Sequence, residues 1–140
     1  MSDFTEFEAG QVVFATSFPV SREDLVAYAD ASGDHNPIHL DEAAAKAAGL
    51  PDVIAHGMFT MGLVSRAVLE WLDASGRDAN LTDFSAKFAK PVVVPAGVTV
   101  NVDVEAKVRK SDADSVELTI SVRSGADKVL APARATFTLR

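Results

Sequence analysis

The chain has no cysteine, which removes disulfides, thiolate zinc sites and cysteine nucleophiles in one step. Basic residues are also scarce: 13 Lys and Arg stand against 20 Asp and Glu, for a formal net charge of -7. Nucleic-acid binding relies on clustered Lys and Arg to neutralise phosphates, so no nucleic-acid partner is expected. The apolar runs are broken too soon to span a bilayer, and no membrane association is expected either. The N-terminal "MSDFTEFEAG" is acidic and has no apolar signal core, which predicts a cytoplasmic protein. No repeat, linker or low-complexity tract interrupts the chain. Its 140 residues suit one domain over positions 1–140 with a single substantial core.

What is present divides into a mixed first half and a strand-rich second half. "QVVFATSFPV" is rich in branched and aromatic residues and reads as a strand, with Pro19 favouring an edge or a strand end. Ser21 and Asp24 form a capping-box-like start for a helix from Arg22 to about Ala31, which Gly33 ends. Asp41 is placed to cap a short alanine-rich helix, "EAAAKAA", closed by Gly49. A longer helix is expected from Met58 to about Ala74. Its apolar residues cover most of the circumference, which is normally the mark of a buried helix.

The remainder reads as strands: "TDFSAKFAKPVVV", "VTVNVDVEAKV", "SVELTISVRS" and "KVLAPARATFTL". Val98, Val100, Val102 and Val104 alternate with polar residues, as do Val116, Leu118, Ile120 and Val122. That period of two gives a sheet with one buried face. Short polar links around Ser111–Asp114 and Ser124–Asp127 make consecutive strands antiparallel neighbours. An apolar helix needs a cover and the sheet offers an apolar face. The expected architecture is therefore α+β, an antiparallel sheet curled around the long helix.

One segment is out of keeping with an apolar chain. "GDHNPIH" gathers Asp34, His35, Asn36 and His39 around Pro37. His35 and His39 stand four apart, a spacing that shares a helical face only in a continuous helix. Pro37 disfavours helical geometry at Asn36, so no metal site is expected from this pair. Asp34, Asn36 and Pro37 also satisfy the ordinary needs of a turn, but a turn does not call for His39. The chemical reading couples Asp34 and His39 across the turn as an acid–base pair, with Asn36 holding one of them or a water. At "IAHGMFTMG", Gly57 begins the apolar helix, so its N–H is unpaired at the positive end of the dipole and is suited to an oxyanion. The structural alternative is that Gly57 permits a tight turn into the helix while His56 caps a neighbour.

These residues resemble a known pattern. "Y-x3-SGD-x-NP-I-H-x5-A" from Tyr28 to Ala45 resembles the hydratase-2 motif of the MaoC-like (R)-specific enoyl-CoA hydratases and (3R)-hydroxyacyl-ACP dehydratase subunits. "AHGM" at Ala55–Met58 and "FAKPVVVPAG" at Phe88–Gly97 are similar to further segments of that family. The resemblance implies a hot-dog fold, in which a curled antiparallel sheet wraps a long central helix. It implies Asp34 and His39 as the catalytic pair, Asn36 as their support, and the Gly57 N–H as oxyanion donor. Ser65 falls where some members carry an active-site serine, and His35 occupies a variable position with no assigned role. The implied reaction is reversible hydration of a trans-2-enoyl thioester to a (3R)-3-hydroxyacyl thioester in fatty-acid metabolism. No metal or redox cofactor is implied; coenzyme A or acyl carrier protein carries the acyl chain.

Two other functions fit the same fold. A hot-dog thioesterase needs a carboxylate on the central helix, where the candidate acid, Glu70, comes late in the apolar run. A non-catalytic acyl-binding partner subunit would lack the Asp/His pair that this chain keeps. Lys107, Arg109 and Lys110, or Lys87 and Lys90, are the candidate contacts for an acidic acyl carrier protein. The resemblance also implies a dimer, either of this chain or with a related hot-dog subunit.

Overall fold

The computed structural model describes residues 3–140. Along the chain run β1 (Val12–Val20), α1 (Arg22–Ser32), a 3-10 turn (Pro37–His39), α2 (Glu42–Ala47), α3 (Gly57–Ser75), β2 (Ala79–Phe88), β3 (Val100–Ser111), β4 (Ser115–Ser124) and β5 (Asp127–Leu139). Local chemistry sets the helix ends. The Asp24 carboxylate accepts the Ser21 N–H at 2.9 Å at the start of α1, and Gly33 closes it in the left-handed region with φ 80°, where a side chain would be strained. The Asp41 carboxylate accepts the Ala43 N–H at 3.0 Å and starts α2.

The five strands form one antiparallel sheet in the order β1-β3-β4-β5-β2. Alternation decides which face is inside. In β3, Val102, Val104, Ala106 and Val108 are buried between exposed Asp103, Glu105 and Lys107. In β4, Val116, Leu118, Ile120 and Val122 are buried in the same rhythm. The inner face meets the stripe Val64, Ala67, Val68 and Leu72 of α3. Helix α3 touches β1 at one edge of the sheet, β2 at the other, and β3. Strands lie about 4.8 Å apart, so five of them span roughly 19 Å, about twice the diameter of a helix. One helix reaches both edges only because the sheet curls around it. The expected α+β wrapping is therefore present, and Pro19 does sit near the end of an edge strand.

Three expectations need correction. Helix α3 is not buried all round: Met58 is 63% and Leu69 44% exposed, and Phe59, Met61, Leu63 and Trp71 are only partly covered. One curled sheet covers one side, and the far side of the helix remains open. Strand β3 begins at Val100, leaving Val98 outside it and half-exposed. The "PVVV" run is not a continuation of β2. Pro91 has no N–H for the ladder and restricts Lys90, so the chain leaves the sheet after Phe88. Val92 and Val94 instead pair with the loop before α3: Ala55 N–H bonds to Val92 O at 2.9 Å and Val94 N–H to Val53 O at 2.8 Å.

That paired segment is tied to α1 by Arg22. Its guanidinium donates to the Val94 carbonyl and to Asp52 Oδ1 at 2.7 Å, both partly buried. No helix among the described residues is long and apolar enough to cross a membrane. Removing Arg22 leaves a half-buried carboxylate and a carbonyl without their donor, a loss on the order of 1–3 kcal/mol. Arg22→Ala is therefore expected to lower the denaturant midpoint by that amount without changing the slope; an unchanged midpoint would show that the tie contributes nothing.

Candidate active site

The "GDHNPIH" segment folds as a 3-10 turn because Pro37 occupies its first position, where a missing N–H costs nothing. Asn36 Oδ1 accepts the Ile38 N–H at 3.2 Å and caps the turn. The Asn36 N–H donates to Asp34 Oδ1 at 3.1 Å, so Asn36 supports Asp34 through its backbone while its side chain serves the turn. One carboxylate oxygen of Asp34 is thus held locally, and Asp34 itself is exposed.

His39 is 8% exposed. Its Nδ1 lies 2.7 Å from the Ile54 carbonyl oxygen. A carbonyl only accepts, so Nδ1 carries the hydrogen, and a neutral ring leaves Nε2 as a bare acceptor. The Ile54 carbonyl is fixed by the loop pairing described above and by the Ile54 N–H, which bonds to Ile38 O at 3.2 Å.

The structure adds a residue for which the residue pattern gave only a capping role. His56 is 1% exposed. Its ring stacks on that of His39, with centroids 3.9 Å apart and planes 23° from parallel. Its Nε2 lies 3.0 Å from the Asp34 main-chain oxygen, and the Tyr28 ring meets it edge-on at 4.7 Å. His56 does not act as a side-chain cap of α3. A histidine before a glycine carries no spacing signal; only the fold brings it under the turn.

One ligand-type atom each of Asp34, His39 and His56 lie within 4.8 Å of one another. The donor types suit a metal, but the ring geometry does not. Lone pairs lie in the imidazole planes, and an ion between two stacked rings would sit over their faces. To lie about 2.0–2.1 Å along both lone pairs it would need the rings to turn out of the stack. His39 Nδ1 and His56 Nε2 are also already committed to carbonyls. His35 stands apart, exposed, with Nε2 3.3 Å from Asp30, so the His35–His39 pair considered from spacing does not form.

Gly57 follows His56 as the first residue of α3. Among the described residues its N–H has no protein partner, as the first turn of a helix requires. Gly57 lines a cavity of about 290 Å³ together with His39, Ile54, Phe88, Lys90 and Pro91. A Cβ at position 57 would stand 3.0 Å from the Phe88 ring, so glycine lets the ring approach this closely without shifting. Hollows of about 680 and 500 Å³ lie on the outer face of the sheet, over Glu105, Ser121 and Arg123. They are larger but hold no histidine.

The other candidates lie elsewhere. Ser65 is half-buried, does not line the cavity, and sits two turns along α3, roughly 12 Å from Gly57 at 1.5 Å per residue. Glu70 is exposed and pairs with Arg66 at 2.8 Å. Arg109 and Lys110 both reach Glu117, at 3.1 and 3.7 Å, which reduces one basic cluster. Lys90 lines the cavity and pairs with Asp127 at 3.3 Å.

Comparison with known proteins bears on the fold and the family. The 3-hydroxyacyl-thioester dehydratase X of Mycobacterium tuberculosis is 52% identical over 69 residues, which are 49% of this chain and 22% of that protein. A MaoC-like dehydratase structure superposes with a TM-score of 0.90 at 31% identity, over 99% of this chain and 42% of its own. The (R)-hydratase from A. caviae involved in PHA biosynthesis superposes with a TM-score of 0.77 at 27% identity, over 97% of this chain and 99% of its own. This chain therefore spans less than a quarter of the mycobacterial relative's length but matches the hydratase end to end. The sheet curled around α3 is the hot-dog fold of these structures. Residues 4–126 match the MaoC like domain, and with that fold around the Asp34–His39 turn the chain belongs to the MaoC-like domain family.

Proposed function

We propose that the protein catalyses reversible hydration of trans-2-enoyl thioesters to (3R)-3-hydroxyacyl thioesters in fatty-acid metabolism. One observation carries this reading. Asp34 and His39 come together on one turn, and His39 shares an apolar cavity, which Asp34 does not line, with Gly57, whose N–H begins α3 and has no protein partner among the described residues. The names of the mycobacterial dehydratase and the A. caviae hydratase support the same class and, for the latter, the R configuration.

The chemistry follows from where protons are needed. The thioester carbonyl oxygen accepts the Gly57 N–H, and charge developing on that oxygen is stabilised at the positive end of α3. A water spans Asp34 and His39, since two hydrogen bonds of about 2.8 Å bridge groups within 4.8 Å. As the water oxygen bonds to C3, one proton leaves it for the pair. The π electrons shift onto C2 and the carbonyl, and a proton passes from the pair to C2. One water is consumed, both of its hydrogens are retained in the product, and the pair is restored. Dehydration is the same path reversed. The bare Nε2 of His39 is the acceptor within the pair. The thioester itself acidifies C2, so the scheme needs no cofactor beyond the coenzyme A or acyl carrier protein that holds the acyl chain. Lys90 at the cavity mouth is the cation best placed for that carrier's phosphate.

The alternatives have less support. A thioesterase would use Glu70, which is exposed and paired with Arg66. A purely acyl-binding subunit has no use for the two groups the turn brings together. The open side of α3 and the free edge of β2 support a dimer, of this chain or with a related hot-dog subunit.

Three tests follow. Asp34→Asn and His39→Ala are each expected to lower kcat on crotonyl-CoA by about 10²–10⁴-fold, and the double variant by much less than the product of the two. A folded single variant with near-normal kcat would overturn the assignment. Incubation with a strong chelator is expected to leave activity unchanged, whereas loss reversed by added zinc would revive a metal site. Light scattering on the chain expressed alone is expected to give a dimer; a fully active species of 14.8 kDa would sink the assembly reading, and an inactive or aggregating chain would point to a missing hot-dog partner.

A further inference from the structure

The catalytic reading leaves one buried polar side chain unused. His56 touches all the parts of the site and yet is absent from the proton path. It holds the main-chain oxygen of Asp34 at 3.0 Å, lies face to face with the His39 ring at 3.9 Å, and directly precedes Gly57 in the chain. We infer that His56 is the positioning residue of this site, fixing Asp34, His39 and the Gly57 N–H relative to one another; the inference rests on the proposed hydration chemistry.

The hydrogen-bond pattern defines the role. The Asp34 oxygen accepts, so His56 Nε2 carries its hydrogen. Nδ1 is buried and has no protein partner among the described residues. The contacts the ring does make are those of a donor and a packing surface. Its donor edge restrains the backbone that carries the Asp34 carboxylate. Its face restrains rotation of the His39 ring, whose Nδ1 is held from the other side by Ile54. Tyr28 in turn holds the His56 ring, edge-on at 62°. The dihedrals of His56, φ -60° and ψ 137°, are extended, and they turn the chain into α3 so that the next N–H begins the helix. Misplacing reactive groups by about 1 Å costs on the order of 10²-fold in rate, so a residue that sets three positions together is expected to act on kcat.

Two substitutions separate the donor from the stack. His56→Phe keeps the ring face and removes the donor; His56→Gln keeps a donor near the Nε2 position and removes the ring. With crotonyl-CoA as probe, His56→Phe is expected to lower kcat at least tenfold with KM within about twofold, and His56→Gln to recover part of that loss. Placed in an Asp34→Asn background, His56→Phe is expected to add less than twofold, because a residue acting through Asp34 has little left to affect. A folded His56→Phe enzyme with normal kcat, or losses that multiply in the double variant, would overturn the inference. If Asp34→Asn itself retains activity, the hydration reading fails; if only His56→Phe does, the positioning role alone fails. A long-range ¹⁵N spectrum of the unaltered protein gives a reading free of activity and of variant folding. His56 should carry its hydrogen on Nε2 alone, and a hydrogen on Nδ1 alone would exclude the bond to Asp34.

Discussion

Three main-chain hydrogen bonds outside the sheet govern where chemistry can sit. Ala55 and Val94 pair with Val92 and Val53, and Ile54 reaches back to Ile38. Together they suspend the loop before α3 between the strand-leaving segment Pro91–Val94 and the Pro37 turn. The Ile54 carbonyl then has one possible position, and it selects the His39 tautomer. The same pairing sets the point at which α3 begins, and so the position of the unpaired Gly57 N–H. Were "PVVV" to continue β2 as an ordinary strand, the loop would lose its partner and His39 its fixed carbonyl acceptor. Pro91 prevents that continuation. A residue that is unhelpful to a ladder is what builds the site.

The periodic parts of the molecule were legible in the sequence, and the site only partly so. Alternation in Val102–Val108 and Val116–Val122 is an intrinsic property of a half-buried strand, and it reported the sheet correctly. The caps at Ser21, Gly33 and Asp41 are local events and were equally readable. The fate of "PVVV" was not, because its apolar content looks the same in a sheet and in a loop that pairs with another loop. His56 escaped for a related reason: its partners, Asp34 and His39, are 22 and 17 positions away, and no period connects them. The Asp34–His39 pair, in contrast, lies within one turn, where Pro37 already announced a break in regular structure.

The exposure of α3 connects fold and site. The stripe Val64, Ala67, Val68 and Leu72 is fully used by the sheet, while Met58 and Leu69 face outward. A helix face fully turned to water more commonly carries polar residues. Met58 adjoins Gly57, and half-exposed Phe88 lies against Gly57, so apolar surface gathers at the N-terminal end of α3. Such surface is apolar area that the sheet leaves uncovered.

The choice between adding water and hydrolysing a thioester is one of register along the substrate. Both reactions use the carbonyl oxygen as the anchor, and both are served by a helix N-terminus. They differ in where a carboxylate and a base stand relative to that anchor. Attack at C1 wants the activating group directly over the carbonyl carbon. Addition at C3 wants it two carbons away, with a second proton-bearing group near C2. Here Gly57 belongs to α3, while Asp34 and His39 come from a separate turn brought alongside by the loop pairing. His56 joins the two elements, with its backbone at the start of the helix and its ring beneath the turn. The Asp34–His39 turn and the start of α3 thus belong to different elements, and under the proposed hydration that separation would set the pair toward C2 and C3 rather than over C1.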